Sequence, residues 1–418
     1  MKLLFLTSYF YPEFVASSYI GDNIREALCD SGCRIELFAP CPSRGVSPEM
    51  YNEYRYKTHE FMHEGKLSVH RFFIWKEPHS IFLRAFRFLL MCFYQTCNAV
   101  FHEDARQCDA IFVASTPPIQ GLIGAFLKKI KHIPFVYNLQ DIFPDSLVGT
   151  GLAKRGGLLW KIGRMIENFT YKHADKIIVI SEDFKRNIMA KGVPESKIEL
   201  VYNWVDQNAV VDVPRQDNKL FDKYGLDRSD FYISYCGNVG LTQNMDMLLE
   251  VMESLRSDYP NIHLVIVGEG VYKSHVESVV AEWGLENVHL LPFQPYEDIS
   301  YVFSLADAGL VISKPGVGAN SVPSKTWSIL SASRPVLVNF DENELKGIVE
   351  TQQCGIFTKA GDKEAFRSSV IRLYSDASLC KQMGENGRRF VMQNLTKEVG
   401  TQRYVDVIKG VVETSFSC

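Results

Sequence analysis

No Asp-x-Asp tripeptide occurs in the 418 residues, which removes the simplest way to hold a metal ion on a nucleotide diphosphate. The chain also lacks HExxH, a GxSxG elbow, a Walker lysine loop and any locally spaced set of zinc ligands. Zincin, α/β-hydrolase and P-loop chemistries are thereby set aside. Its ten cysteines form no Cys-x-x-Cys pair. The apolar start MKLLFLTSYFYPEF runs straight into Pro12 and Glu13 with no small-residue cleavage site. The thiols are therefore expected to be reduced and the protein cytoplasmic. No apolar run is long and uncharged enough to span a bilayer. The nearest, IFLRAFRFLLMCFYQTCNAVF at 81–101, is broken by Arg84 and Arg87. A formal charge of −4 gives no general polyanion-binding signature, so nucleic acid is not expected as a partner.

What is present is a regular alternation. Short β-branched runs fall at 3–9, 34–40, 68–74, 110–115, 135–141, 176–181 and 198–203, then at 231–237, 263–268, 288–293, 308–313, 335–340 and 355–358. Helical spacing lies between them, as at 244–257 and 271–284, and the chain past 361 is mostly helical. This pattern predicts an α/β protein with parallel sheets covered on both faces. The length asks for more than one core. A polar stretch at 204–230, with Pro214, reads as a linker and a short helix. The expected organisation is two doubly wound, Rossmann-like domains, 1–205 and 206–418, facing a cleft, with 396–418 packing back on the first. Ligands belong at the strand C-terminal ends. Residues 1–205 carry 25 Lys and Arg against 21 Asp and Glu, a net of +4, while the remainder nets −8. A basic first half fits an anionic lipid or acceptor, and chance asymmetry fits as well. The 81–101 segment suits a helix at a membrane interface, or equally one packed on a sheet with its arginines snorkelling out.

The segment SVPSKTWSILSASRPVLV at 321–338 carries the most chemistry. A turn around Pro323 leads into a short helix over Thr326 to Leu330, with Ser324 and Lys325 at its start. Free amides and an ammonium there would suit a phosphate; the plain alternative is an ordinary helix cap. CGNVGLTQN at 236–244 follows a strand, and Gly237 and Gly240 permit a tight turn on which a phosphate could sit; a plain strand-to-helix turn would look the same. Gly268 and Glu269 in VGEG end the next strand, where Glu269 is a candidate ribose ligand. Backbone around Phe293 in LPFQP is a candidate for a base edge. Lys314 is a second cation, on the Gly/Pro-rich loop that leads to Lys325. In the first half, LQDIFPD places Asp141 and Asp145 beyond a strand. Asp141 is positioned to meet an incoming hydroxyl, whereas Asp145 reads equally as a helix cap. SYFYPE puts Tyr11 and Glu13 after the first strand, to line a sugar or lipid site or simply to pack.

Taken in order, YPE at 11–13, QDIFPD at 140–145, VISE at 179–182, NWVD at 203–206, GNVG with Gln243, VGEG at 267–270 and PSK at 323–325 resemble GT-B glycosyltransferases of family 4. They resemble most narrowly the bacterial branch that builds O-antigens, capsules and colanic acid, and are similar to N-acetyl-L-fucosamine transferases. The resemblance implies a retaining, metal-independent transfer of a sugar from a nucleotide diphosphate, a UDP-sugar, with no resident cofactor. It implies an undecaprenyl-diphosphate-linked glycan as acceptor, reached by peripheral attachment to the inner leaflet through 81–101 and the basic stretch from Lys154 to Lys172. Many family members have arginine and lysine where this chain has Asn238 and Gln243. The family's paired glutamates fall at Asn320 and Ser328, so both carboxylates are missing and Lys325 is left as the main phosphate cation. Two other activities fit the same architecture: a non-hydrolysing UDP-sugar 2-epimerase, and a non-catalytic sugar-nucleotide-binding partner.

Overall fold

The β-branched runs become strands because, in parallel sheets buried on both faces, apolar side chains are needed on both sides of each strand. The computed structural model describes residues 1–13, 18–78, 80–149, 153–318 and 322–416. Its contacts divide the chain into unit 1, Met1–Tyr202 with Gly400–Cys418, and unit 2, Asn203–Val399.

Unit 1 holds β1 (Lys2–Leu6), β2 (Arg34–Pro40), β3 (His59–Met62), β4 (Leu67–Phe72), β5 (Ala110–Ala114), β6 (Phe135–Leu139), β7 (Lys176–Val179) and β8 (Ile198–Leu200). They pair in the order β3-β4-β2-β1-β5-β6-β7-β8. All pairings are parallel except β3 with β4. The strand β3 has no counterpart in the sequence reading. HEFM is four residues with no sustained apolar alternation, and it adds to an edge through backbone pairing and polar side-chain contacts such as Arg71 with Glu60 at 2.6 Å. The last helix, Lys397–Phe416, contributes to this unit. Its Tyr404 is fully buried, with the ring edge-on to Phe112 and the hydroxyl donating to Asn138 Oδ1 at 3.0 Å.

Unit 2 holds β9 (Phe231–Cys236), β10 (Ile262–Val267), β11 (Val288–Leu291), β12 (Ala308–Ile312), β13 (Val336–Phe340) and β14 (Gly355–Lys359). The order is β11-β10-β9-β12-β13-β14, parallel throughout. The one polar side chain in β13, Asn339, is fully buried. It is satisfied by Thr358 Oγ1, the Lys359 carbonyl and the Gly361 amide, all at 2.9 Å. The stretch expected as a free linker is instead strapped to the unit. Ser300 Oγ donates to the Ala209 carbonyl at 2.7 Å, Ser331 Oγ to the Val210 carbonyl at 2.6 Å, and the Val213 amide bonds Ser304 Oγ at 3.0 Å. Those partners lie about ninety or more residues along the chain, which hid them from a local reading.

Candidate active site

In unit 2 the loops after β9 and β10 are held together by their own backbones. The Gly237 amide donates to the Val267 carbonyl at 3.0 Å, the Val239 amide to the Glu269 carbonyl at 2.9 Å and the Tyr272 amide to the Val239 carbonyl at 3.0 Å. Such an approach leaves no room for side chains. A Cβ on Gly268, whose φ is +156°, would sit 1.9 Å from the Gly237 carbonyl oxygen, and one on Gly270 would sit 2.1 Å from the Val239 oxygen. The Tyr235 hydroxyl donates to the Asn238 carbonyl at 2.7 Å, fixing the turn from beneath.

Lys325 closes over this turn. Its Nζ stands 3.7 Å from the centroid of the Tyr235 ring, and a Cβ on Gly237 would lie 3.3 Å from it. The side chain is largely buried, and no carboxylate among the described residues pairs with it. Burial pushes its pKa down to about 8, opposed only by the neighbouring Cys236 thiol. A cation held this way gains by meeting an anion. Two buried hydroxyls in the flanking segments, Ser313 Oγ and Thr326 Oγ1, also have no hydrogen-bond partner. Neither stood out in the sequence, because an isolated Ser or Thr carries no signal of its own.

Other expected donor residues are placed differently. The helix begins at Lys325 and ends at Ser331, close to the expected bounds. The Thr326 and Trp327 amides are already taken by the Pro323 and Ser324 carbonyls, at 3.0 and 3.1 Å. The segment therefore brings a charge rather than a row of free amides. Ser324 itself is exposed, with no capping bond from its side chain, and Ser328 is half-buried within the helix. The Gly240 amide is likewise occupied, donating to Gln243 Oε1 at 2.9 Å, so Gln243 braces the turn from within. Glu269 is exposed and ion-paired with Lys273 at 2.6 Å, leaving its second oxygen to solvent. Phe293 is 72% exposed. Lys314 Nζ lies over the Tyr272 ring at 5.5 Å, and its amide donates to the Thr242 carbonyl at 2.8 Å. Asn320 lies outside the described residues. The preceding loop is anchored by Asp341, which accepts from the Gly316 and Gly318 amides at 3.0 and 2.8 Å, a residue the sequence reading passed over.

In unit 1 a cavity of about 350 Å³ opens beyond β1, lined among others by Tyr9, Tyr11, Arg25, Arg44 and Gln140. Tyr11 is among the lining residues, and the sequence had singled out neither arginine. Asp141 and Glu13 do not line it. Asp141 is exposed; desolvation by the surrounding protein lifts its carboxyl above the usual range, against bonds from Ser146 Oγ at 3.0 Å and from the Ile142 amide. Glu13 is buried, and its Oε1 accepts from the Ser43 and Arg44 amides at 2.7 and 2.8 Å. Its part is to fix the loop that presents Arg44. Asp145 starts a helix and pairs with Lys191 at 2.8 Å, which also holds Glu167 at 2.8 Å. It belongs to a structural network and not to the cavity.

In the helix Ile81–Phe101 one arginine departs from the outward-facing reading and one keeps to it. Arg87 is fully buried, donating to the Trp75 carbonyl at 2.9 Å and to Ser43 Oγ at 2.8 Å, while Arg84 stays outside near Glu77. Facing solvent are Leu83, Phe86, Leu89, Phe93 and Phe101. The helix Leu158–His173 likewise exposes Leu158, Ile162 and Met165 among its basic residues. No helix among the described residues is long and apolar enough to cross a membrane.

With this geometry in view, the comparisons with known proteins agree. A "Glycosyl transferase 4-like domain" matches residues 19–204 and "Glycosyl transferases group 1" matches residues 216–390. The chain belongs to the GT-B glycosyltransferases. Among curated relatives, the putative colanic acid biosynthesis glycosyl transferase WcaI of Escherichia coli K12 is 24% identical, over 98% of this chain and 100% of that protein. The capsular polysaccharide biosynthesis glycosyltransferase CapM of Staphylococcus aureus is 21% identical, over 72% of this chain and 76% of that one. The crystal structure of Anabaena HepE in complex with UDP superimposes with a TM-score of 0.72 at 16% identity, covering 98% of this chain and 100% of HepE. This glycosyltransferase is thus a GT-B enzyme in which the group 1 domain carries the Lys325 turn.

Proposed function

We propose that this glycosyltransferase moves a sugar from a UDP-sugar to a lipid-linked glycan during synthesis of a surface polysaccharide. The observation that carries the reading is the unpaired, largely buried Lys325 ammonium beside a glycine turn too tight for side chains. A diphosphate seated there would supply the missing counter-charge, and more charge develops on it as the bond to the sugar breaks. The sugar C1 to phosphate-oxygen bond breaks and a bond from C1 to the acceptor oxygen forms. The acceptor proton passes to the departing phosphate on the same face, so the anomeric configuration is retained and no metal ion is called on. Asp141 would position the acceptor hydroxyl rather than remove its proton. The names of WcaI and CapM support a capsule or colanic-acid type of product, and the HepE complex supports UDP. In unit 1 the exposed Arg44 suits an acceptor bearing a diphosphate, as an undecaprenyl-linked glycan does, while Arg25 is already paired with Asp22.

The test is a panel of UDP- and GDP-sugars offered with an undecaprenyl-diphosphate-linked acceptor and read by mass spectrometry. A product heavier by one sugar, formed from a UDP donor in the presence of EDTA, is expected. Epimerised donor formed without acceptor, or bound UDP with no turnover across the panel, would overturn the assignment.

Reaching such an acceptor calls for contact with the cytoplasmic leaflet of the inner membrane, and the exposed faces of Ile81–Phe101 and Leu158–His173 suit it. Co-sedimentation with anionic vesicles should weaken as salt rises. It should also fall sharply in a Phe86→Ser, Phe93→Ser double variant. Arg87 is unsuitable for this test because it is buried. Unchanged sedimentation of the double variant would assign the contact elsewhere.

A further inference from the structure

Unit 1 assembles a cluster that no local spacing in the sequence announces. His70 on β4, His102 after the helix Ile81–Phe101, and Asp104 in the 3-10 turn Glu103–Ala105 bring one ligand atom each within 4.8 Å of one another. His70 Nε2 is 4.0 Å from Asp104 Oδ2, and His102 Nδ1 is 3.6 Å from the same oxygen. Glu36 on β2 stands outside the three and holds His70, its Oε2 2.7 Å from His70 Nε2. His70 is buried and stacked between Phe38, at 4.7 Å, and His59, at 4.8 Å, so its ring direction is fixed. The group borders a cavity of about 270 Å³, which gives an ion a way in. Its residues do not line the cavity beyond β1 that holds Tyr11.

We propose that His70, His102 and Asp104 form a binding site for a divalent transition metal, Zn²⁺ by its donor set, with water completing the shell, separate from the sugar-transfer chemistry. Two imidazole nitrogens with a carboxylate oxygen are a usual zinc set. Bonds near 2.0–2.1 Å in a tetrahedron place neighbouring ligand atoms about 3.3 Å apart. The half-exposed Asp104 and the partly exposed His102 can turn to close the remaining gap. Lys2 works from outside the cluster: its Nζ lies 3.1 Å from Glu36 Oε1 and donates to the Asp104 carbonyl at 2.7 Å, orienting both residues. His59 lies outside the group of three; its Nε2 is bonded to Ser68 Oγ at 2.8 Å, a hydroxyl that also reaches His70 Nε2 at 3.2 Å. The ion would tie the end of the Ile81–Phe101 helix to β4, the strand next to the sheet's edge.

The test uses the full chain, stripped with EDTA and titrated with Zn²⁺ alone, then with Co²⁺ as a coloured substitute. Zn²⁺ at about 100-fold over its Kd should raise Tm by roughly 3 °C. Co²⁺ should develop the visible absorption of a tetrahedral N/O site. Both signals should be lost in His70→Ala and in Asp104→Asn, the latter half-exposed and expected to fold normally. Both should persist in His63→Ala, an exposed histidine outside the cluster. No Tm rise and no visible band in the wild-type chain would overturn the proposal. So would signals unchanged in Asp104→Asn, which would mark surface binding elsewhere.

Discussion

Replacing Lys325 by alanine is expected to lower kcat about 100- to 1,000-fold, the usual effect of removing one preorganised group from a developing negative charge. The fold should survive, because the ammonium has no ion-pair partner to orphan. Stability should rise if anything. Holding the pKa at about 8 rather than 10.5 corresponds to on the order of 3 kcal/mol opposing the charged form. The sign follows from linkage. Between pH 8 and 10.5 the unfolded chain binds more protons than the folded one, so this group makes stability rise with pH across that window and opposes folding fully below it. Activity runs the other way. The protonated form grips the phosphate, so kcat/KM of the free enzyme should fall as pH passes about 8, and the fall should be absent from the residual activity of Lys325→Met. A Lys325→Ala variant with full kcat would remove the residue from the chemistry.

Gly268→Ala is expected to have the largest effect of any single methyl. The added carbon would stand 1.9 Å from the Gly237 carbonyl oxygen at a φ of +156°, so the two phosphate-side loops must separate. A loss on the order of 3 kcal/mol is expected, together with loss of donor binding. Gly347→Ala is the matching control. That glycine sits inside the helix Glu344–Gln352 with nothing within 4 Å of its Cβ position, and alanine should add roughly 0.5–1 kcal/mol there. Thermal melts of the two variants beside the wild type decide the matter. Equal Tm values for all three would mean that the loops are not locked as described.

The contrast between these glycines shows what the sequence made legible. Strands such as PVLVNF and HLVIVG announce themselves because burial on both faces of a parallel sheet demands unbroken apolar residues, and the glycines at their ends mark turns. Lys325 stood out because it follows a proline turn and precedes a helix. What stayed hidden depends on partners far along the chain. Glu13 looked like an acceptor-side carboxylate until Ser43 and Arg44, thirty and thirty-one residues on, were seen to hold it. Asp145 looked alike for the same reason until Lys191 met it. Arg87 was read as pointing outward because helical spacing gives a face but not the loops that cover it. The His70, His102 and Asp104 group has no motif at all, since its members come from a strand, a helix end and a turn.

Calorimetric titration of UDP into the wild-type chain and into Lys325→Met at pH 7 tests the central claim most directly. UDP should bind the wild type with a clear heat and bind the variant far more weakly, while uridine, which has no phosphate, should not distinguish the two. UDP binding of equal affinity to both proteins would contradict the assignment of Lys325 to the diphosphate.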